Sequence, residues 1–155
     1  MPSVTLGKKV PEFSLPATGG KTWKLKEAAG NAVVVYFYPK DNTSGCTKEG
    51  EAFRDLHAQF RKAGAVIVGI SPDGLVAHEK FKATYKFPFE LLADTERKVC
   101  ELFDVYKEKS MYGRKYMGVE RSTFLIDASG KLRNEWRKVK VPGHAEEVLA
   151  AVKAL

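Results

Sequence analysis

Cysteine is scarce in this sequence: two residues among 155, at positions 46 and 100. Two are too few for a disulfide scaffold or a four-thiolate zinc site. No apolar run approaches the roughly 20 residues of a membrane span. Residues 1–10 lack the apolar core of a secretory signal, so the chain is expected to be unsecreted. The three histidines, His57, His78 and His144, are scattered without metal-ligand spacing. There is no Gly-rich phosphate loop, no Ser/His/Asp arrangement, no repeat and no low-complexity linker. The length suits one domain over residues 1–155, which buries roughly 70% of its unfolded surface. Such a core needs neither a disulfide nor a metal, so the two cysteines, if they matter, matter as reactive thiols.

Acidic residues are also in deficit, with 19 against 26 basic ones, a net charge of +7. Between Val105 and Lys140 there are ten basic residues and four acidic ones, so most of the excess lies there. A basic cluster can bind phosphates non-specifically. No Arg-rich tail, zinc-finger spacing or aromatic-glycine signature supports a nucleic-acid partner, and a solvated basic face is the simpler expectation.

Hydrophobic patterning predicts a mixed α/β order. Residues 13–25 read as a hairpin around Thr18-Gly19-Gly20. Residues 32–38, Ala-Val-Val-Val-Tyr-Phe-Tyr, read as a strand covered on both faces, ended by Pro39. A polar loop leads to a helix from Cys46 to about Ala63, with Phe53, Leu56, Phe60 and Ala63 on one stripe and Gly64 closing it. A buried strand at 65–70 and a helix from Leu75 to about Tyr85 follow, the latter opened by Ser71-Pro72-Asp73-Gly74. Then come a short strand at 90–92, a helix through Val99, Leu102 and Phe103, and two strands at 122–127 and 131–138. Pro142-Gly143-His144 opens a last helix carrying Val148, Leu149 and Val152. A parallel βαβ start followed by an antiparallel hairpin and a helix is the layout of a thioredoxin-like α/β fold. Its central mixed sheet is flanked by helices and preceded by the N-terminal hairpin. Trp23, Trp136, Phe81, Tyr85, Phe87 and Phe89 are expected to be core or pocket-rim packing.

Cys46 opens the first long helix. A helix N-terminus offers free N–H groups and partial positive charge, which favour thiolate, the nucleophilic form. Spacing also puts Cys46 on the stripe of Phe53, Leu56 and Phe60, facing inward. Spacing alone leaves two readings open, a poised nucleophile and an inert buried thiol.

The loop Pro39-Lys40-Asp41-Asn42-Thr43-Ser44-Gly45-Cys46 reads Pro-x-x-x-Thr-x-x-Cys. It resembles the active-site motif of the peroxiredoxins, in particular the bacterioferritin comigratory protein or Q-type subfamily. The resemblance continues in Gly45-Cys46-Thr47-Lys48-Glu49, in Glu120-Arg121-Ser122-Thr123-Phe124-Leu125-Ile126-Asp127 and in Trp136-Arg137-Lys138-Val139-Lys140. It covers essentially the whole chain. It implies a cofactor-free thiol peroxidase reducing hydrogen peroxide and organic hydroperoxides, monomeric, in the bacterial cytoplasm. Cys46 corresponds to the peroxidatic cysteine, which becomes sulfenic acid. Thr43 corresponds to the hydroxyl beside the peroxide, Arg121 to a fixed guanidinium, Pro39 to a shield against water and Glu49 to the acid that orients the arginine. Met111-Tyr112-Gly113-Arg114 also resembles the family and is expected to line the active-site mouth.

The second cysteine fits less well. One resolving position of the subfamily falls on Glu51, and another lies on the helix holding residues 78–85, which has no cysteine. Cys100, within a helix and beside Val99, reads chiefly as a small buried hydrophobe and only weakly as a resolving candidate. A Cys46–Cys100 disulfide would need Cα atoms within about 7 Å. The expectation is a one-cysteine enzyme whose sulfenic acid is resolved by glutathione, glutaredoxin or thioredoxin. A thioredoxin-type disulfide reductase is disfavoured, because Cys46 has no Cys-x-x-Cys neighbour.

Overall fold

A computed structural model describes residues 3–155. Strand β3 (Ala32–Phe37) lies inside the sheet, and all six of its residues are buried. Its side chains alternate across the sheet, as strand geometry requires. Val33, Val35 and Phe37 enter one core, and Val34 and Tyr36 enter the other. This is why its sequence is continuously apolar rather than alternating.

Around β3 the seven-stranded sheet runs β2-β1-β5-β4-β3-β8-β9. β1 (Ser14–Ala17) and β2 (Lys21–Lys24) form the N-terminal hairpin. β4 (Ala65–Ser71) pairs parallel with β3, and β5 (Glu90–Ala93) pairs parallel with β4. β8 (Ser122–Ile126) and β9 (Leu132–Trp136) complete the sheet antiparallel. Helices α1 (Ser44–Lys62) and α4 (His144–Lys153), with Phe81 of α2 (Leu75–Tyr85), cover one face. The short α3 (Lys98–Leu102), a 3-10 turn at Leu25–Ala28 and the segment around Val10 and Phe13 cover the other.

The expected thioredoxin-like order is present, with two differences. Helix α1 begins at Ser44 rather than Cys46, so Cys46 is the third residue of its first turn. The second difference is a ribbon absent from the sequence expectation: β6 (Tyr106–Met111) pairs with β7 (Arg114–Val119) as a separate two-stranded sheet. Tyr112 and Gly113 both take positive φ at its turn, the geometry that suits hairpin twist. Most ribbon side chains are exposed or half-buried, so polar residues on both faces erase the period-2 signal.

The N-terminus of α4 carries a buried histidine. His144 Nε2 lies 2.8 Å from Thr123 Oγ1 on β8, and its ring packs edge-on to Phe53 and Trp136. Burial lowers the His144 pKa to about 4, with Glu147 opposing and Arg121 adding to the effect. An unfolded histidine binds its proton near 6.5. The folded state therefore holds fewer protons between these values. The stability His144 supplies is complete above about 6.5 and is lost as pH falls toward 4. Melting temperatures between pH 7 and 4 should fall less steeply for His144→Gln than for the wild-type chain. Parallel curves would contradict this.

Candidate active site

Sheet register builds the site. Phe37, the last residue of β3, sits opposite Ser122, the first residue of β8. The chain leaving β3 enters the loop to α1, while Arg121 immediately precedes β8. Two segments far apart in sequence therefore meet at one end of the sheet. Val139 N–H donates to Arg121 O at 3.0 Å and fixes the arginine's backbone from the side of β9.

Three of the expected residues come together there. Arg121 Nη2 donates to Cys46 Sγ at 3.4 Å. Arg121 Nη1 donates to Glu49 Oε1 at 2.7 Å. Glu49 follows Cys46 by one helical turn, so both face the same guanidinium. The cysteine is buried, at 2% exposure. The Glu49 and Arg121 side chains are 2% and 17% exposed.

Burial dominates the electrostatics. It raises the Glu49 pKa to about 7, while Arg121 pulls against that shift by charge and hydrogen bond. Burial also opposes the charge of Arg121, yet Glu49 and Cys46 outweigh it and raise the arginine's pKa. The guanidinium is thus a fixed cation. Glu49 Oε2 and the Tyr36 hydroxyl are buried without a partner. Burial, then Glu49 and Cys46, push the Tyr36 hydroxyl well above its ordinary range, so it stays protonated.

Thr43 is the N-cap residue of α1, extended at φ −90° and ψ 158°. Its hydroxyl does not cap the helix. It donates to Lys40 O at 2.8 Å, which leaves the oxygen's lone pairs free to accept. The first intrahelical bond is Thr47 N–H to Thr43 O, 2.8 Å. The N–H groups of Ser44, Gly45 and Cys46 precede it and have no acceptor within the helix. Pro39 is half-buried at the start of the loop. A thiol, a fixed cation and a cluster of oriented N–H groups can stabilise negative charge that leaves sulfur and appears on oxygen.

Two residues that sequence reasoning did not single out belong to these surroundings. Lys109 on β6 is lowered in pKa by burial and by Arg121, with Cys46 opposing. Met111 and Tyr112, expected at the mouth, are 55% and 97% exposed at the tip. His78, read from the sequence as one of three unconnected histidines, joins Asp41 and Asp73 in a cluster whose ligand-type atoms lie within 4.8 Å. His78 and Asp41 are 37 residues apart, so no local spacing could reveal the pair.

The basic cluster of residues 105–140 disperses. Arg121 touches sulfur, whereas Lys107, Arg133 and Arg137 pair with Asp104, Asp127 and Glu135. Cys100 is fully buried on α3 in the core opposite that of Cys46. Burial pushes its thiol up, and Asp94 adds to the shift. The sheet thus separates the two sulfurs.

Comparison with known proteins places the chain and its fold. Residues 6–135 match the AhpC/TSA family. The chain is 50% identical to peroxiredoxin Bcp of Bacillus subtilis over 151 residues, 97% of this chain and 96% of that one. It is 50% identical to peroxiredoxin Bcp of Xanthomonas campestris over 144 residues, 92% and 90% of the two chains. Among solved structures, Xanthomonas campestris peroxiredoxin Q superposes with a TM-score of 0.88 at 49% identity, covering 92% and 90%. Another structure of that organism's bacterioferritin comigratory protein concerns its alkyl peroxide reduction activity. A cysteine-to-serine mutant of Xylella fastidiosa PrxQ gives a TM-score of 0.92 at 40% identity, covering 99% and 98%. With its thioredoxin-like sheet and a cysteine held by an arginine at a helix N-terminus, the chain belongs to the AhpC/TSA family, as a thiol-dependent peroxidase of the bacterioferritin comigratory protein, or Q, type.

Proposed function

We propose that Cys46 is the peroxidatic residue and that the protein works as a one-cysteine enzyme. The observation that supports this reading is the Arg121 guanidinium shared between Cys46 Sγ and Glu49. The Cys46 thiolate attacks the terminal oxygen of a hydroperoxide. The S–O bond forms, the O–O bond breaks, and water or an alcohol departs after taking a proton. Arg121 and the free N–H groups of the first turn of α1 hold the oxygens as charge moves onto them. The Thr43 hydroxyl accepts from the incoming peroxide, Glu49 orients Arg121, and Pro39 keeps water from the thiol.

The product is Cys46 sulfenic acid. An external thiol then attacks this sulfur, releasing water and leaving a mixed disulfide. A second thiol breaks that disulfide and restores the Cys46 thiolate. Cys100 supports no shortcut in this reading, because it packs in the other core. The reductant is therefore glutathione, glutaredoxin or thioredoxin. Hydrogen peroxide and organic hydroperoxides are the substrates, and the protein acts as a single-domain monomer in the bacterial cytoplasm.

Cys46→Ser should abolish peroxide reduction in stopped-flow measurements, and a rate equal to wild type would end the assignment. Cys100→Ser should keep turnover with a thioredoxin system. Intact mass after one equivalent of peroxide should show one added oxygen in both the wild-type chain and this variant. Loss of turnover in Cys100→Ser, with Cys46 still oxidised, would show that Cys100 resolves. Gly45→Ala tests the placement of Arg121 from the helix side. A Cβ there would lie 3.0 Å from Arg121 Nη2, so the guanidinium must shift by a few tenths of an ångström. The variant should reduce peroxide several-fold more slowly than wild type, and an unchanged rate would contradict the proposed role of Arg121.

A further inference from the structure

The loop that delivers Cys46 is tied down by a buried polar chain outside the Arg121 site. Tyr38 OH donates to Asp41 Oδ1 at 2.6 Å. Asp41 Oδ2 lies 2.6 Å from His78 Nδ1 on α2. His78 Nε2 donates to Leu92 O on β5 at 2.9 Å. A carbonyl only accepts, so Nε2 carries a hydrogen, and a further proton lies between Nδ1 and Oδ2. His78 is 0% exposed and Asp41 is 8% exposed. The Asp41 backbone is held as well, since its N–H donates to Asp73 Oδ2 at 2.8 Å and Ser71 Oγ donates to the same oxygen at 2.7 Å.

This chain fixes the loop at its middle. Asn42, next to Asp41, takes a positive φ of 61°, a turn that costs backbone energy and needs surrounding support. Thr43 follows at once and is the N-cap of α1. A buried polar group is strongly oriented by its hydrogen-bond partners and leaves a large penalty when one is removed. The imidazole thus transmits the position of α2 and β5 to the residues just before Cys46.

We propose that His78 is a positioning residue for peroxide reduction: through Asp41 it sets the 38–43 loop, and with it the place of the Thr43 hydroxyl and the first turn of α1 around Cys46. This rests on the reading of Cys46 as the peroxidatic thiol. His78 touches no reacting atom, so its effect falls on geometry rather than on the presence of the thiolate. A 1 Å displacement of a catalytic constellation can cost about a hundredfold in rate. The cluster closes on itself. Both Asp41 oxygens and both His78 nitrogens have protein partners, which favours an internal clamp over a cation cage.

The test compares two reactions of the same sulfur. Alkylation by iodoacetamide needs only an accessible thiolate, whereas peroxide reduction also needs the placed Thr43 and Arg121 donors. His78→Leu should lower kcat/KM for hydrogen peroxide by about tenfold to a hundredfold, with the alkylation rate changed far less. His78→Gln, which keeps one donor, should recover part of the loss. Asp41→Asn keeps shape and the Tyr38 bond, and it should show the same split if His78→Leu fails to fold. Combining Asp41→Asn with His78→Leu should add little beyond the larger single effect, as expected of one coupled unit. An unchanged peroxide rate, an equal fall in both reactions or additive losses would each overturn the proposal. So would a rise in melting temperature with magnesium, manganese or zinc that disappears in Asp41→Asn, which would make the cluster a cation site. Cys46→Ser, run beside these variants, separates failure of the thiol assignment from failure of the positioning role.

Discussion

One guanidinium organises the proposed active site. Arg121 lies largely out of solvent, with a carboxylate on one side and a sulfur on the other. A cation in that position is tolerated only because both partners are present, and stripping one from a buried pair typically costs about 3–5 kcal/mol. The constraint runs in every direction. Glu49 tolerates burial because the cation is there. The sulfur has a fixed positive neighbour 3.4 Å away in a place that water scarcely reaches. Residue 45 faces the same group and leaves little room for even a methyl.

The sheet makes this contact possible and also limits the chemistry that can follow it. Antiparallel pairing of β3 with β8 brings residues 72 and 75 apart in sequence into hydrogen-bond range. The same sheet divides the interior into two cores and assigns one cysteine to each. The sulfur at the helix N-terminus has the other sulfur behind a wall of backbone. In the proposed cycle the oxidised sulfur must meet a thiol from outside.

Much of this was legible from the residues. The run at 32–38 announces a doubly covered strand because no position in it tolerates water. The stripe of Phe53 and Phe60 places the inner face of α1, and with it the inward direction of Cys46. The motifs around residues 39–49 and 120–127 identify which distant segments share a site, although only the register of β3 and β8 shows how they meet. Other parts were not legible for definite reasons. The β6–β7 ribbon is solvated on both faces, so alternation never appears. The start of α1 two residues before Cys46 depends on loop geometry rather than periodicity. The Asp41–His78 pair exists only after α2 folds against the end of β3, and neither residue has a local pattern that marks it.

The dependence on Arg121 can be measured directly. Single-turnover oxidation of Cys46 by hydrogen peroxide, followed by stopped flow in Arg121→Gln and in the wild-type chain, isolates the step at which charge leaves sulfur. Loss of a preorganised donor at such a site predicts a fall of about a hundredfold to a thousandfold in the second-order rate constant, with the fold intact by circular dichroism. A folded variant that oxidises within about twofold of the wild-type rate would contradict the account.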